Sequence, residues 1–289
     1  MRTLVSGTVA LITILRLVGY VTNPRLTEAE IHRIAGEPTR SVRAPAPAGP
    51  MTVVTWNIER GVRYPEIVEA LRSINPDLVL LQEVDQFCAR SGMRDIARDL
   101  ADALNMNWVS AGEFQEIGEG RGDVPALTGQ ALLSRYPIED PGVIVFTNQS
   151  GLRWRFNPAQ PRRGGRIALR ARTAGFLIYN LHIESGGSDA LLLKQLNEVL
   201  ADQARYPGET IIGGDFNNTA GVIDAMRAVV GAAGFVDALG EGSRQTSVRH
   251  NYPIDWLFVR MDGQTSGKVE RLDGVSDHYP MMTSLKRWQ

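Results

Sequence analysis

The sequence has one cysteine, four histidines and a formal net charge of only −1. A single cysteine, Cys88, excludes an intramolecular disulfide, and with no cysteine cluster there is no thiolate metal site. This agrees with a reduced compartment and equally with an exported protein that needs no disulfide. The near-zero charge excludes a chain that coats nucleic acid through bulk positive charge, so an anionic partner must be met by a local patch. No internal repeat stands out. What remains is globular in composition: 289 residues, 43% hydrophobic and 22% charged, enough for one large domain or two small ones.

Residues 4–21 are apolar apart from Thr, Ser, two glycines and Arg16, and Arg2 precedes them. The stretch reads as an uncleaved signal or membrane anchor, with a cleaved signal or a soluble amphipathic helix as the other readings. The expected location is therefore membrane-anchored or exported. Thr27-Glu28-Ala29-Glu30 is a capping-box pattern that predicts a short helix through Ala35. Ala44-Pro45-Ala46-Pro47-Ala48-Gly49-Pro50 then reads as an extended spacer between this N-terminal segment and the folded body. The expected organisation is residues 1–22 as signal or anchor, 23–50 as short helix and linker, and 51–289 as the catalytic domain.

From Met51 onward, short β-branched runs alternate with helical patterns. Strands are expected at Val53–Trp56, Leu78–Leu81, Ala131–Leu133, Val143–Phe146, Ile167–Ala171, Phe176–Leu181, Thr210–Ile212, Ile254–Val259, Lys268–Leu272 and Met281–Leu285. Helices are expected after Pro65, around Arg94–Leu104, at Asp189–Gln203 and near Val222–Val230. Consecutive strands without intervening helices argue against a purely parallel sheet and for mixed or antiparallel sheets covered by helices.

Polar residues end many of these apolar runs. Glu83 follows Leu78–Leu81 and suits the role of principal ligand to a hard divalent cation such as Mg²⁺, which prefers oxygen donors. Asn57 follows another strand. Asp215 and Asn217 sit after Gly213 and Gly214, which permit close approach of backbone or ligand. A period of two places Asn180 and His182 on one strand face. Asp255 lies in an apolar run, where an ionised carboxylate is costly without a partner, and Asp277-His278 offers one. Alone, each motif would be read as a turn or a solvated strand end.

Together, Trp56-Asn57, Gln82-Glu83-Val84, Asn180-Leu181-His182, Gly214-Asp215-Phe216-Asn217, Asp255 and Ser276-Asp277-His278 resemble, in order, the motifs of the endonuclease/exonuclease/phosphatase superfamily. That group includes deoxyribonuclease, apurinic endonucleases, bacterial sphingomyelinases and inositol polyphosphate 5-phosphatases. The resemblance implies a four-layer α/β sandwich of two facing mixed or antiparallel sheets with helices outside. It also implies Mg²⁺-dependent hydrolysis of a phosphate ester, with Mn²⁺ as a substitute ion, by a monomer. Carried over, Glu83 would bind the metal with Asn57 and Asp277. Asp215 and Asn217 would position water and phosphate, Asp255 would hold His278 as the base or as a stabiliser of phosphorane charge, and His182 would donate to the phosphate or leaving oxygen.

The His182 position separates the chain from apurinic endonucleases and moves it toward the deoxyribonuclease, sphingomyelinase and phosphatase branches. Between Asp140 and Glu184 there is no acidic residue, while Arg153, Arg155, Arg162, Arg163, Arg166, Arg170 and Arg172 all occur. With Trp154 and Phe156 interleaved, this run suits a nucleic-acid backbone or a phospholipid head group, and Arg162, Arg163 and Arg166 are its expected substrate contacts. A solvated loop is the plainer alternative. Gln130 stands where related phosphodiesterases often carry Asn. The expected function is a metal-dependent phosphodiesterase, against the alternative of a catalytically silent phosphate- or nucleic-acid-binding module on the same fold.

Overall fold

Alternate residues of the strands feed two different cores, and that alternation generates the layers. In a computed structural model, residues 28–35, 49–149, 161–239 and 245–288 are described. The apolar stretch 4–21, most of the Ala/Pro spacer, and Arg153, Trp154, Arg155 and Phe156 lie outside the described residues. The elements in chain order are α1 (Glu28–Ile31), β1 (Ile34–Ala35), β2 (Met51–Arg60), α2 (Tyr64–Ile74), β3 (Leu78–Gln86), α3 (Ile96–Leu104), β4 (Asn107–Glu116), β5 (Leu127–Ser134), β6 (Glu139–Val145), β7 (Arg162–Gly164), β8 (Ile167–Thr173), β9 (Phe176–His182), α4 (Asp189–Gln203), β10 (Thr210–Asp215), α5 (Ile223–Ala232), β11 (Val236–Asp237), β12 (Asp255–Arg260), β13 (Gly263–Val269) and β14 (Met281–Arg287).

An eight-stranded sheet has the order β1-β4-β5-β3-β2-β14-β13, with β7 also paired to β4. A six-stranded sheet has the order β11-β12-β10-β9-β8-β6. Each sheet is antiparallel except for one central parallel pair, β2 with β3 and β9 with β10. Parallel neighbours need a crossover, and α2 and α4 supply it. Pro65 in the first turn of α2 and the Asn75 left-handed cap bound one crossover helix. Ser188, accepting from the Leu191 amide, starts the other.

Val53, Leu78, Leu80, Ile178, Ile211 and Leu257 pack between the two sheets. Their strand neighbours Val54, Val79 and Leu81 pack under α2 and α3. Leu177, Tyr179, Ile212 and Phe258 do the same on the far side, together with residues of α4 and α5. The result is four layers, helix, sheet, sheet and helix, as the motif resemblance implies.

Local structure differs from the sequence expectation at several points, and β4, a ten-residue strand, is not among the expected strands at all. The N-terminal helix ends at Ile31, and Ile34–Ala35 forms β1 against β4 instead of continuing it. Ile31 is fully buried and His32 Nε2 lies 3.2 Å from the Gly165 carbonyl oxygen, so this segment packs on the body. The strand expected at Lys268–Leu272 is instead Gly263–Val269, a polar edge strand with little apolar signal.

Gly213 and Gly214 are two points at which β10 comes close to its neighbours. A Cβ on Gly214, at φ 147°, would sit 1.9 Å from the Leu181 carbonyl oxygen of the adjacent parallel strand. One on Gly213 would meet Leu257 Cδ2 at 2.5 Å and Leu80 Cδ2 at 3.0 Å, between the sheets. Gly214→Ala should therefore cost at least about 3 kcal/mol, from overpacking and a strained backbone together. Gly231→Ala in α5, where an added Cβ meets nothing within 4 Å, should be neutral or stabilising by up to about 1 kcal/mol. Urea unfolding midpoints of the two variants check this. Equal midpoints would refute the close-approach account.

Candidate active site at the shared end of the two sheets

The alternation that sends Val53, Leu80, Ile178 and Ile211 into the inter-sheet core also dictates what ends each strand on that face. Counting on by twos gives Asn57, Gln82, Asn180 and His182, and Asp215. His182, Asp215 and Asp255 are direct partners across β9, β10 and β12, so they form one row. On the facing sheet, Asn57, Gln82, Gln130 and Ala111 form the corresponding row across β2, β3, β5 and β4.

Just beyond that second row the ladder breaks in three strands at one level. The register shifts between Asn57 and Arg60, between Gln82 and Val84, and between Gly112 and Phe114. Glu83 is the extra residue in β3, with φ 50°, and Glu113 the extra residue in β4. A bulge re-aims a side chain that strict alternation would place elsewhere. Glu83 is thereby turned out half-exposed, with Arg60 Nε at 3.6 Å, while Glu113 is turned in and buried.

Side-chain amides join the two rows. Asn57 Nδ2 donates to Asp215 Oδ2 at 3.1 Å, and Gln82 Nε2 donates to Asn180 Oδ1 at 2.6 Å. Asn180 returns two bonds to the Leu81 and Ala131 carbonyls. Gln130 donates to Glu113 Oε1 at 2.8 Å and to the Ile167 carbonyl at 2.9 Å, so its longer arm spans the sheets and fixes Glu113. Ser276 Oγ donates to the Asn57 carbonyl, and Trp56 Nε1 donates to the His278 carbonyl. These two bonds fasten the segment carrying Asp277 and His278 to β2.

Asp215 Oδ2 is the hub. His182 Nε2 lies 3.5 Å away and His278 Nε2 3.7 Å away, while Asp215 Oδ1 accepts from the Asn217 amide at 2.9 Å. Asn217 also donates from its side chain to the Ile183 carbonyl, so the turn expected of an Asx residue is present at the site itself. On the far side of the ring, His278 Nδ1 sits 2.9 and 3.1 Å from the two Asp255 oxygens. His182 Nδ1 faces Glu113 Oε2 at 3.7 Å.

The two imidazoles are driven in opposite directions. Burial disfavours a charged His278, but the Asp255 and Asp215 carboxylates outweigh it and push its pKa up to about 10. Burial lowers His182 well below the ordinary value, and Arg166, His278 and Arg162 lower it further, so it is neutral. Burial raises Asp215 to about 7, against the pull of His278 and with the push of Asp255.

Two sets of groups offer themselves to a metal. Asp215, Asp255 and His278 bring ligand atoms within 4.8 Å of one another. A metal needs a neutral imidazole with a free lone pair, whereas Nδ1 of His278 is committed to Asp255 and the ring is held protonated. Asn57, Glu83 and Asp277 suit a hard cation better. All three are oxygen donors, Glu83 is re-aimed by its bulge, and Asp277 is half-exposed with Arg249 at 3.4 Å.

The three expected arginine contacts separate. Arg162 lies over the Phe114 ring, 4.0 Å from its centroid, and its nearest carboxylate oxygen is 3.9 Å away on Glu116. Arg163 points to the other strand face, where its Nε donates to Gln115 at 2.7 Å, which removes it from the site. Arg166 is buried and its Nη1 is paired with Glu113 at 3.0 Å, so its charge serves the protein interior. Sequence reasoning missed Glu113 because the strand carrying it, Asn-Trp-Val-Ser-Ala-Gly-Glu-Phe-Gln-Glu, has no clean alternation. The Gly112-Glu113 step is the one local signal of a bulge there.

Comparison with known proteins follows the same lines. Residues 54–278 match the model of the endonuclease/exonuclease/phosphatase family. An endonuclease/exonuclease/phosphatase from Beutenbergia cavernae is similar with a TM-score of 0.64 at 19% identity, over 83% of this chain and 72% of that one. A member of the same group from Bacteroides vulgatus gives 0.61 at 16% identity, over 83% and 99%. TDP2 from C. elegans gives 0.57 at 17% identity, over 82% and 75%. At these identities the likeness is one of fold. A search of curated proteins returned no match.

The shifts predict how stability follows pH in the presence of a chelator. Both raised groups hold protons in the native state that the unfolded chain has released, so each contributes stability at low pH that is lost as pH rises. The Asp215 contribution fades between 3.8 and about 7, and that of His278 between 6.5 and about 10. In the second window wild type should lose more than about 1 kcal/mol per pH unit, one proton's worth. Asp255→Asn should flatten that slope. Chemical unfolding across the window measures it, and an unchanged slope would remove Asp255 as the cause.

Proposed function

The chain belongs to the endonuclease/exonuclease/phosphatase family, and we propose that it is a metal-dependent hydrolase that cleaves a phosphodiester by in-line attack of water. The observation that carries this reading is the position of Asp215 Oδ2 between a charged and a neutral imidazole, next to the Asn57 amide. Asn57, Glu83 and Asp277 would hold Mg²⁺ or Mn²⁺. Such an ion supplies Lewis acidity to a phosphoryl oxygen and orients the ester.

The remaining roles fall to the chain's own groups. Asp215, ionising near neutrality, is the group placed to take the proton of the attacking water. His278 is held protonated to about 10 and has no lone pair for that task. Its Nε2–H instead donates to the negative charge that develops on phosphorus-bound oxygens, and Asp255 keeps it in that state. His182, neutral and with its proton on Nε2, is positioned to donate to the phosphate or the leaving oxygen, its Nδ1 then being an acceptor that faces the Glu113 carboxyl. Asn217 keeps Asp215 oriented through its backbone amide. Arg162 has its charge disfavoured by burial and by Arg166, and an anionic substrate oxygen would relieve both.

Asp215→Asn and His278→Ala should each lower kcat by about 10² to 10⁴ without unfolding the protein. Glu83→Gln should weaken Mn²⁺ binding in a titration followed by electron paramagnetic resonance, and chelator should abolish turnover. Arg162→Ala should raise KM about tenfold, as expected for one lost charge-assisted contact. Arg163→Ala should leave KM as it is. Full activity in chelator, or wild-type turnover by Asp215→Asn, would end this reading.

A further inference from the structure

The N-terminal segment enters the body at the site end of the eight-stranded sheet. β1 runs antiparallel to β4, with Ala35 opposite Ser110 and Ile34 opposite Ala111. Tracing the chain backward, the Ile31 carbonyl lies against Gly112 and His32 lies against Gly165. Those positions adjoin Glu113 and Arg166. The described chain therefore starts beside the strands that wall the site. Only residues 22–27 separate it from the apolar stretch 4–21, and six extended residues reach about 20 Å.

The exposed apolar side chains concentrate at the same end. Among the described residues the large ones are Val62, Val124, Val145, Val248, Val236 and Trp288. Val62 lies just past the end of β2, beyond Asn57. Val124 lies in the connection from β4 to β5. Val145 pairs with Ile167, next to Arg166, and Val248 donates its backbone N–H to the Asp277 carbonyl. Val236 pairs with Val259 at the opposite end of the sheet, and Trp288 follows the far end of β14. Exposed Arg63, Arg121 and Arg249 accompany the four site-end valines, Arg249 in an ion pair with Asp277 and Asp123 exposed beside Val124. Apolar tips among arginines are the composition of a surface that rests on an anionic bilayer.

We propose that the apolar segment 4–21 inserts in a membrane and holds the site end of the sandwich against the bilayer, so that the substrate is the head-group phosphodiester of a membrane phospholipid. This rests on the phosphodiesterase reading given above. No helix among the described residues is long and apolar enough to cross a membrane. A short tether ending at the site rim presents the two histidines to the lipid head groups. A tether at the Val236 end would point them at the aqueous phase.

The test uses the full chain in vesicles of phosphatidylcholine and phosphatidylglycerol. The native Cys88 is fully buried, so Val62→Cys, Val248→Cys and Val236→Cys can each carry one environment-sensitive label. Brominated lipids should quench labels at 62 and 248 and leave the one at 236 nearly untouched. In parallel, Val62→Asp combined with Val248→Asp should slow release of lipid head group about tenfold or more, since the two valines lose their apolar partition. Hydrolysis of soluble bis(p-nitrophenyl) phosphate should not change. Absent quenching at 62 and 248, or equal quenching at all three positions, would overturn the membrane-facing surface. Correct quenching with cleavage of duplex DNA and not of lipid would overturn the substrate class. If no diester of any kind is cleaved, the phosphodiesterase reading fails, and the quenching pattern still decides the surface by itself.

Discussion

The bond from Asn57 Nδ2 to Asp215 Oδ2 joins the central strands of two sheets whose packing is mainly apolar. Side chains between packed sheets can slide by small amounts at little cost, but a hydrogen bond to a buried carboxylate cannot be stretched without leaving charge unpaired. Gln82 with Asn180, and Gln130 with Ile167, repeat the constraint one and two strands away. The two sheet ends are thus held in one register. Asp215 and the imidazoles on one side, and Asn57 and Glu83 on the other, can act on one small molecule only because of it. The glycines of β10 have the same purpose at the backbone level, since a side chain at 213 would wedge the sheets apart.

Electrostatics then divides the buried carboxylates into different tasks. Asp255 is given a cation of its own, His278, at hydrogen-bond distance. Glu113 is given Arg166 and the Gln130 amide. Asp215 receives only amides and more distant imidazole nitrogens, and its proton affinity rises accordingly. A carboxylate left under-compensated in this way is the one suited to proton transfer. On the proposed reading, unequal partnering makes three similar acids an orienter, a brace and a base.

Much of this was legible in the chain because the relevant residues obey the period of two. Val53 to Asn57, Leu78 to Gln82 and Ile178 to His182 each continue an apolar face into a polar terminus, so strand, face and end can be read together. The parts that were not legible are those where the backbone leaves that period. Glu113 is turned inward by a bulge in a strand with Ser, Gly and Glu among its residues. Arg163 and Arg162 are adjacent in sequence and face opposite ways. The docking of residues 28–35 depends on a pairing with β4 more than 70 positions away. Local propensity has no access to such a contact. Polar edge strands such as β13 fail for a related reason, since their alternation carries no apolar signal.

The central claim is that the cation site and the protonated imidazole are separate, on opposite sides of Asp215. The most direct measurement is a crystal structure of the protein with Mn²⁺ and inorganic phosphate, with the ion located by anomalous scattering. The account predicts an anomalous peak coordinated by Glu83 and the Asn57 amide oxygen, with phosphate oxygens reaching His182 and His278. A peak enclosed by Asp215, Asp255 and His278, with Glu83 uncoordinated, would contradict it.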